Sequence, residues 1–252
     1  NSQDKKFIDS ANQLFSQWCK DKGVIAEFVR FHPLIQNQNY FSPDMNILDD
    51  RATVSIDLDT LNESGLNVDQ KTRNICRRAE KLGVQILDHS SCQDFDKFID
   101  LYLSAMKGLN AEDYYLFNDE YFDSLKELVK SNGWLYVAER DGQWIAASIF
   151  LRGKRLLHYH LSASDLEHRI PGSTNILISH AAKRGRETGF SRLHLGGGKT
   201  TSPDDSLFIF KRKMATDVHS FCIGKRIHDS DTYSALYAIW KEKYPQLLNV
   251  HG

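Results

Sequence analysis

Three apolar-rich segments separated by two-residue turns dominate the middle of the chain: WLYVAER (Trp134–Arg140), QWIAASIFLR (Gln143–Arg152) and RLLHYHLSAS (Arg155–Ser164). Asp141-Gly142 and Gly153-Lys154 between them are tight-hairpin sequences, because their residues tolerate the left-handed conformations such turns require. Segments of this kind pair as an antiparallel meander, and a meander must bury a face against other elements. Its neighbours supply them. Before it come a strand, VQILDH (Val84–His89), and two helices near Gln93–Lys107 and Asn118–Lys130; after it, a helix near Asn175–Thr188 stops at Gly189. A short strand (Ser191–Leu195), a further helix, a strand VHSFCIGKRI and a C-terminal helix, DTYSALYAIWKEKY, complete an α/β order.

The N-terminal part carries less pattern. Asp4–Lys22 places Phe7, Ala11, Leu14, Phe15, Trp18 and Cys19 at helical spacing and ends at Gly23; a strand follows in GVIAEFVRFHPL, then a polar loop (Ile35–Asp50) and a strand at Arg51–Leu58. Asp69–Leu82 is a helix ending at Gly83 and crowded with Lys71, Arg73, Arg77, Arg78 and Lys81. Arg73, Arg77 and Lys81 share a face, where stacked like charges cost helix stability, so they are candidates for anion binding as well as for a solvated face. The succession helix, Gly, apolar strand occurs at CKDKGVIAEFVRF and again at RETGFSRLHLGGG, which suggests a duplicated domain.

The chain has 252 residues and a formal net charge of -1, so no global basic field marks it as a nucleic-acid binder. Its four cysteines form no CxxC pair, which points to a reducing compartment and away from zinc. No apolar run approaches the roughly 20 residues of a membrane span, and NSQDKKFID is not a signal peptide. The expectation is a cytoplasmic protein without a metal site.

The chemistry concentrates in GFSRLHLGGGKTTSPDDSLFIFKRKM (Gly189–Met214). Gly196, Gly197 and Gly198 let backbone approach a ligand closely. Ser202 reads as the cap of a helix with Pro203 in its first position and Asp204 and Asp205 in its first turn. That helix presents Phe208, Phe210 and Met214 beside Lys211, Arg212 and Lys213, an arrangement suited to an acyl or phosphate group, or to an ordinary strand-loop-helix connection. A lysine beside aromatics is a desolvated cation suited to developing negative charge, unless it merely snorkels over Phe208. On the third meander strand His158 and His160 face one side and Tyr159 the other. Either histidine can relieve an amine of its proton or serve structurally; without a third ligand they do not make a metal site.

The order of elements resembles the GNAT acyltransferase fold, in which two neighbouring strands splay apart and the acyl donor sits between them. KTRNICRRAEKLGVQI, the linker containing Tyr114 and Tyr115, LLHYHLSAS, LHLGGG and DSLFIFKRKM together resemble the FemAB/FemX group of aminoacyl transferases and related BioF2-like acyltransferase domains. The resemblance runs over nearly the whole chain from Phe28 onward, most specifically from HLGGG to LFIFK. It implies tandem GNAT-like domains with a mixed, mostly antiparallel splayed sheet. The first domain, residues 1–83, would be partial, lacking early strands as in a truncated chain, and the second, residues 84–252, would carry the transfer chemistry. It implies that Phe210 and Lys211 lie at the transfer site, the lysine stabilising a tetrahedral intermediate. Arg73, Arg77, Arg78 and Tyr115, with Arg30 and Asn37 flanking the polar loop, are substrate-side candidates.

The implied reaction is acyl or aminoacyl transfer to an amine of a cell-envelope precursor or nucleotide-linked sugar. The donor stays open between acyl-CoA and aminoacyl-tRNA. In RIPGST, Arg169 and Gly172 fit two landmarks of a coenzyme A pyrophosphate turn, and Thr174 misses the third. The basic face of Arg73, Arg77 and Lys81, with Lys183, Arg184 and Arg186, would suit tRNA as a partner. The rival readings are an acyl-CoA-dependent N-acetyltransferase and a non-catalytic GNAT-like binding protein. The implied acceptor is a small-molecule or lipid-linked envelope precursor.

Overall fold

The computed structural model describes residues 4–61 and 68–247. Along the chain run α1 (Lys5–Asp21), β1 (Ala26–Arg30), β2 (Asn46–Asp57), α2 (Gln70–Lys81), β3 (Gln85–Asp88), α3 (Phe95–Gly108) and α4 (Asp119–Asn132). They are followed by β4 (Gly133–Arg140), β5 (Gln143–Arg152), β6 (Leu156–Ser164), α5 (Ser173–Glu187), β7 (Arg192–Gly197), α6 (Ser206–Arg212), β8 (Asp217–Ile227) and α7 (Ser230–Lys243). Local chemistry sets several of these boundaries. Asp4 and Asp69 cap α1 and α2 by accepting backbone N–H bonds, and Gly23 and Gly83 follow their ends at φ +67° and +85°. Asp141 and Gly142 both have positive φ, so the β4–β5 connection is the twisted turn the sequence requires.

The chain divides into two compact units, residues 53–218 and residues 1–52 with 219–252, rather than at residue 83. Helix α2, expected in a first domain, therefore belongs to the larger unit, where it packs on α5.

In the larger unit the strand order is β2-β7-β6-β5-β4-β3, with the second half of β2 contributing. Only β6 and β7 are parallel among these pairs; the others are antiparallel. One face of this sheet presents Trp134, Tyr136, Phe150, Leu157, Leu193 and Leu195 to Ile176, Leu177, Ala181 and Ala182 of α5. The other presents Leu135, Val137, Ala147, Ile149 and Ala163 to Phe95, Phe98 and Tyr102 of α3 and Phe122, Leu125 and Val129 of α4. Both faces are thus covered by helices, and the strands read as nearly continuous apolar runs.

Two irregularities open this sheet. In the β5–β6 ladder Ile149 pairs with Leu161 and Phe150 with Tyr159, which makes His160 the extra residue of a β-bulge. In the β6–β7 ladder Leu156–His158 pair with Arg192–His194. Beyond that point β6 stays with β5, whereas Gly196 and Gly197 of β7 pair with Val54 and Thr53 of β2. The expected splay lies here.

In the smaller unit β8 lies between β1 and the first half of β2, antiparallel to β1 from Ala26↔Ile227 to Arg30↔Ile223. Strand β2 begins at Asn46, so the polar loop ends earlier than Asp50 and includes a 3-10 turn at Asn37–Tyr40. Phe31, Met45 and Cys222 form a small buried cluster in it, with Val29 and Phe41 against them, and Cys19 of α1 is buried as well. No helix among the described residues is long and apolar enough to cross a membrane.

Candidate active site

The mouth of the β6–β7 splay is built by the end of β7, the loop after it and α6. Gly196 adopts φ +78°, turning the chain so that the Gly197 carbonyl accepts a 2.9 Å hydrogen bond from Lys211 Nζ. A Cβ on Gly196 would stand 3.4 Å from that Nζ. The ammonium also lies 5.8 Å from the ring centroid of Tyr159 on β6, within reach of a cation–π attraction. Phe208 and Phe210 pack from the same helix against the core under α5, leaving Lys211 half-buried. Burial lowers the Lys211 pKa to about 8, the Asp205 carboxylate working the other way. At neutral pH the group therefore remains a cation, held in a poorly solvated place.

Asp205 holds the loop in shape. Its carboxylate accepts from Phe208 N (2.9 Å), Lys199 N (3.0 Å), Thr200 N (3.0 Å) and the Thr200 hydroxyl (3.2 Å). Burial alone would raise its pKa, but these donors outweigh it and hold the acid below its usual range. Asp205 is thus the cap of α6, and the expected start at Ser202–Pro203 is corrected: those residues form a turn in which Asp205 N donates to Ser202 O. One carboxylate that satisfies both the helix start and the glycine loop displaces the nearer serine. Position 198 has no room for a side chain, since a Cβ there would lie 2.5 Å from Asp205 Oδ1.

Across β6 the histidines take different partners. His158 and His194 place their Nδ1 atoms 3.0 Å apart where the strands begin to part. His160 Nε2 lies 2.8 Å from the hydroxyl of Tyr121 on α4, a residue the sequence did not single out. Among the described residues no group of three or more His, Cys, Asp or Glu side chains is arranged to hold a metal ion.

The remaining candidates are scattered. Arg73 folds back on its own helix, donating to Val68 O (2.5 Å) and Gln70 Oε1 (3.0 Å), while Arg77 and Arg78 are exposed. Arg169 is exposed, and Gly172, at φ +99°, starts α5 where a Cβ would meet Ile75 O at 2.7 Å. The lack of a side chain at Gly172 is thus required by the α2–α5 contact, and no phosphate cradle is needed to explain it. Thr174 just beyond it bonds Ser164 at the end of β6 (3.2 Å). Tyr115 is half-buried, edge-on to Tyr114. In the smaller unit Arg30 lies 5.3 Å from the Phe221 ring centroid, and the Asn37 side chain accepts from His32 N (2.8 Å), an internal turn contact.

A model of the acetyltransferase (GNAT) domain matches residues 67–212. A UDP-N-acetylmuramoylpentapeptide-lysine N(6)-alanyltransferase of Weissella viridescens is 22% identical over 228 residues, which cover 84% of this chain and 66% of the relative, just under two thirds of its length. Among solved structures, FemX matches at a TM-score of 0.68 and 12% identity, over 92% of this chain and 79% of that one. The C-terminal domain of a lysylphosphatidylglycerol synthetase from Agrobacterium fabrum, itself described as putative, matches at 0.65 and 15% identity, over 96% and 79%. These likenesses establish the fold that the splayed sheet and its covering helices display.

Proposed function

The chain belongs to the acetyltransferase (GNAT) domain family, and we propose that it transfers an aminoacyl group to an amine of a cell-envelope precursor or nucleotide-linked sugar. The observation that carries this is Lys211: a half-buried cation with its pKa lowered to about 8, bonded to Gly197 O at the mouth of the strand splay. When an amine attacks an acyl carbonyl, the carbonyl oxygen becomes an oxyanion, and a fixed cation in a poorly solvated site stabilises it. Lys211 has donors to spare beyond the one given to Gly197. Asp205, by holding the glycine loop, fixes the carbonyl that aims the ammonium. Phe208 and Phe210 exclude water on one side.

The likeness to an alanyltransferase acting on a nucleotide-linked muramoyl pentapeptide supports that class of acceptor. An aminoacyl-tRNA donor fits this chain better than a coenzyme A thioester. Gly172 is explained by the Ile75 contact, and α2 and α5 expose Lys71, Arg77, Arg78, Lys81, Lys183 and Arg184 to a polyanion. The test is to offer alanyl-tRNA and acetyl-CoA separately, with a lysine-bearing UDP-muramoyl pentapeptide as acceptor. Transfer from alanyl-tRNA that weakens steeply with salt is expected; transfer from acetyl-CoA alone would overturn the choice of donor, and transfer from neither the reading itself.

A further inference from the structure

The bulge in β6 places a proton-handling pair on the far side of the strand from Lys211. Tyr159, beneath the Lys211 ammonium, packs with the core under α5, whereas the next residue, His160, turns toward α4 and meets Tyr121, which packs with the α3–α4 core. We propose that Tyr121 and His160 act together on the amine acceptor, which enters the splay from the α3–α4 face opposite Lys211. This assignment rests on the acyl-transfer reading above.

The pair is built rather than incidental. Tyr121 stands in the first turn of α4, whose cap Asn118 accepts the Tyr121 N–H at 3.0 Å. Its ring stacks on Phe117 with centroids 4.0 Å apart and 19° between planes, so the hydroxyl has one direction to point. The bulge fixes the other partner, because the extra residue turns His160 toward α4 without disturbing Tyr159. Burial lowers the His160 pKa and raises that of Tyr121, so both groups are neutral at pH 7. The titratable groups nearby are Tyr102 on α3, Tyr114 and Tyr115 between α3 and α4, and His158 with His194 on the strands.

The chemistry balances as follows. A neutral amine adds to the acyl carbonyl, forming the C–N bond and leaving an oxyanion near Lys211 and a positive charge on nitrogen. With the Tyr121 hydroxyl donating to His160 Nε2, the nitrogen's proton passes to Tyr121 Oη as the hydroxyl proton moves to Nε2, leaving an imidazolium and a neutral tyrosine. Collapse of the intermediate breaks the bond to the leaving oxygen, which takes the proton back from the imidazolium. A histidine whose pKa is lowered surrenders that proton readily, so the pair returns to its starting state without help from solvent.

The test compares the parent protein with Tyr121→Phe and His160→Gln in transfer from alanyl-tRNA to the lysine-bearing UDP-muramoyl pentapeptide. Tyr121→Phe keeps the stack on Phe117 and loses only the hydroxyl. It is expected to lower kcat about 10²-fold with KM little changed. Ionisation of the acceptor amine cancels in the ratio of the His160→Gln kcat to the parent's, and that ratio is expected to climb as pH falls below 6.5, where the parent's His160, its pKa lowered by burial, takes up a proton. Transfer by the parent with an unaltered kcat in Tyr121→Phe, or a ratio of His160→Gln to parent that stays flat as pH falls, would overturn this pair alone. Absence of transfer by the parent would overturn the reading beneath it and the pair together.

Discussion

The two compact units of this chain treat apolar surface in opposite ways. In the larger unit the sheet is covered on both faces, and Phe98, Phe150, Leu135 and Leu193 are fully buried. In the smaller unit α1 turns Phe7, Leu14 and Trp18 outward at 62, 73 and 52% exposure, α7 exposes Ile239 at 62%, and the buried apolar residues among those described are Cys19 and the small cluster of Phe31, Met45 and Cys222. The family match at residues 67–212 falls wholly within the larger unit, as do Lys211, Asp205, His160 and Tyr121. A site that holds a cation out of water needs rigid surroundings to do so, and only the larger unit has the core to supply them.

This contrast can be broken most forcefully at Lys211. Lys211→Met is expected to lower the transfer rate by about 10²–10³-fold, the loss typical of one oxyanion donor. Because the folded pKa, about 8, lies below the ordinary 10.5, the folded state binds fewer protons than the unfolded chain between those values, and the group's contribution to stability improves as pH rises through that window. At pH 7 the charged lysine opposes folding, so the same variant should be as stable as the parent or more so, by about 1–2 kcal/mol in thermal unfolding. A variant that lost activity only by unfolding would mean that the lysine is structural.

Smaller effects are expected where glycines meet their neighbours, and they should differ between the units. Gly172→Ala puts a methyl 2.7 Å from the backbone oxygen of Ile75 in a left-handed conformation. Neither can yield easily, and a loss of about 2–4 kcal/mol is expected, with α5 displaced. Gly224→Ala in the smaller unit would meet Met45 Sδ at 2.8 Å and the Phe31 ring at 2.9 Å. Those are movable side chains in a thin core, so about 1–2 kcal/mol is expected. Equal losses in chemical denaturation would show that the two cores are equally rigid.

Much of this was legible in the residues. Asp141-Gly142 announced the β4–β5 turn, and helix-ending glycines at 23, 83 and 189 each adopt the positive φ their positions require. The start of α6 differs from the sequence expectation because Ser202-Pro203 has the local form of a cap, whereas the choice of Asp205 depends on the Lys199 and Thr200 amides, which only the fold brings near. Tyr121 was invisible for a similar reason. Its partner is 39 residues away and is aimed by a bulge, and a bulge leaves no mark in an alternation of apolar residues. Arg73 reads as free charge on a helix face, but a long side chain can satisfy itself on Gln70 in the first turn of its own helix and on the Val68 carbonyl just before it.

The central claim, that the Lys211 charge drives transfer, is tested most directly by the ratio of single-turnover rates of Lys211→Arg and the parent as pH is raised, with saturating acceptor. Ionisation of the acceptor cancels in that ratio. Lys211 loses its proton near pH 8 while an arginine keeps its charge, so the ratio should be constant below pH 7 and climb through about pH 8. A ratio that stays flat to pH 10 would contradict the account.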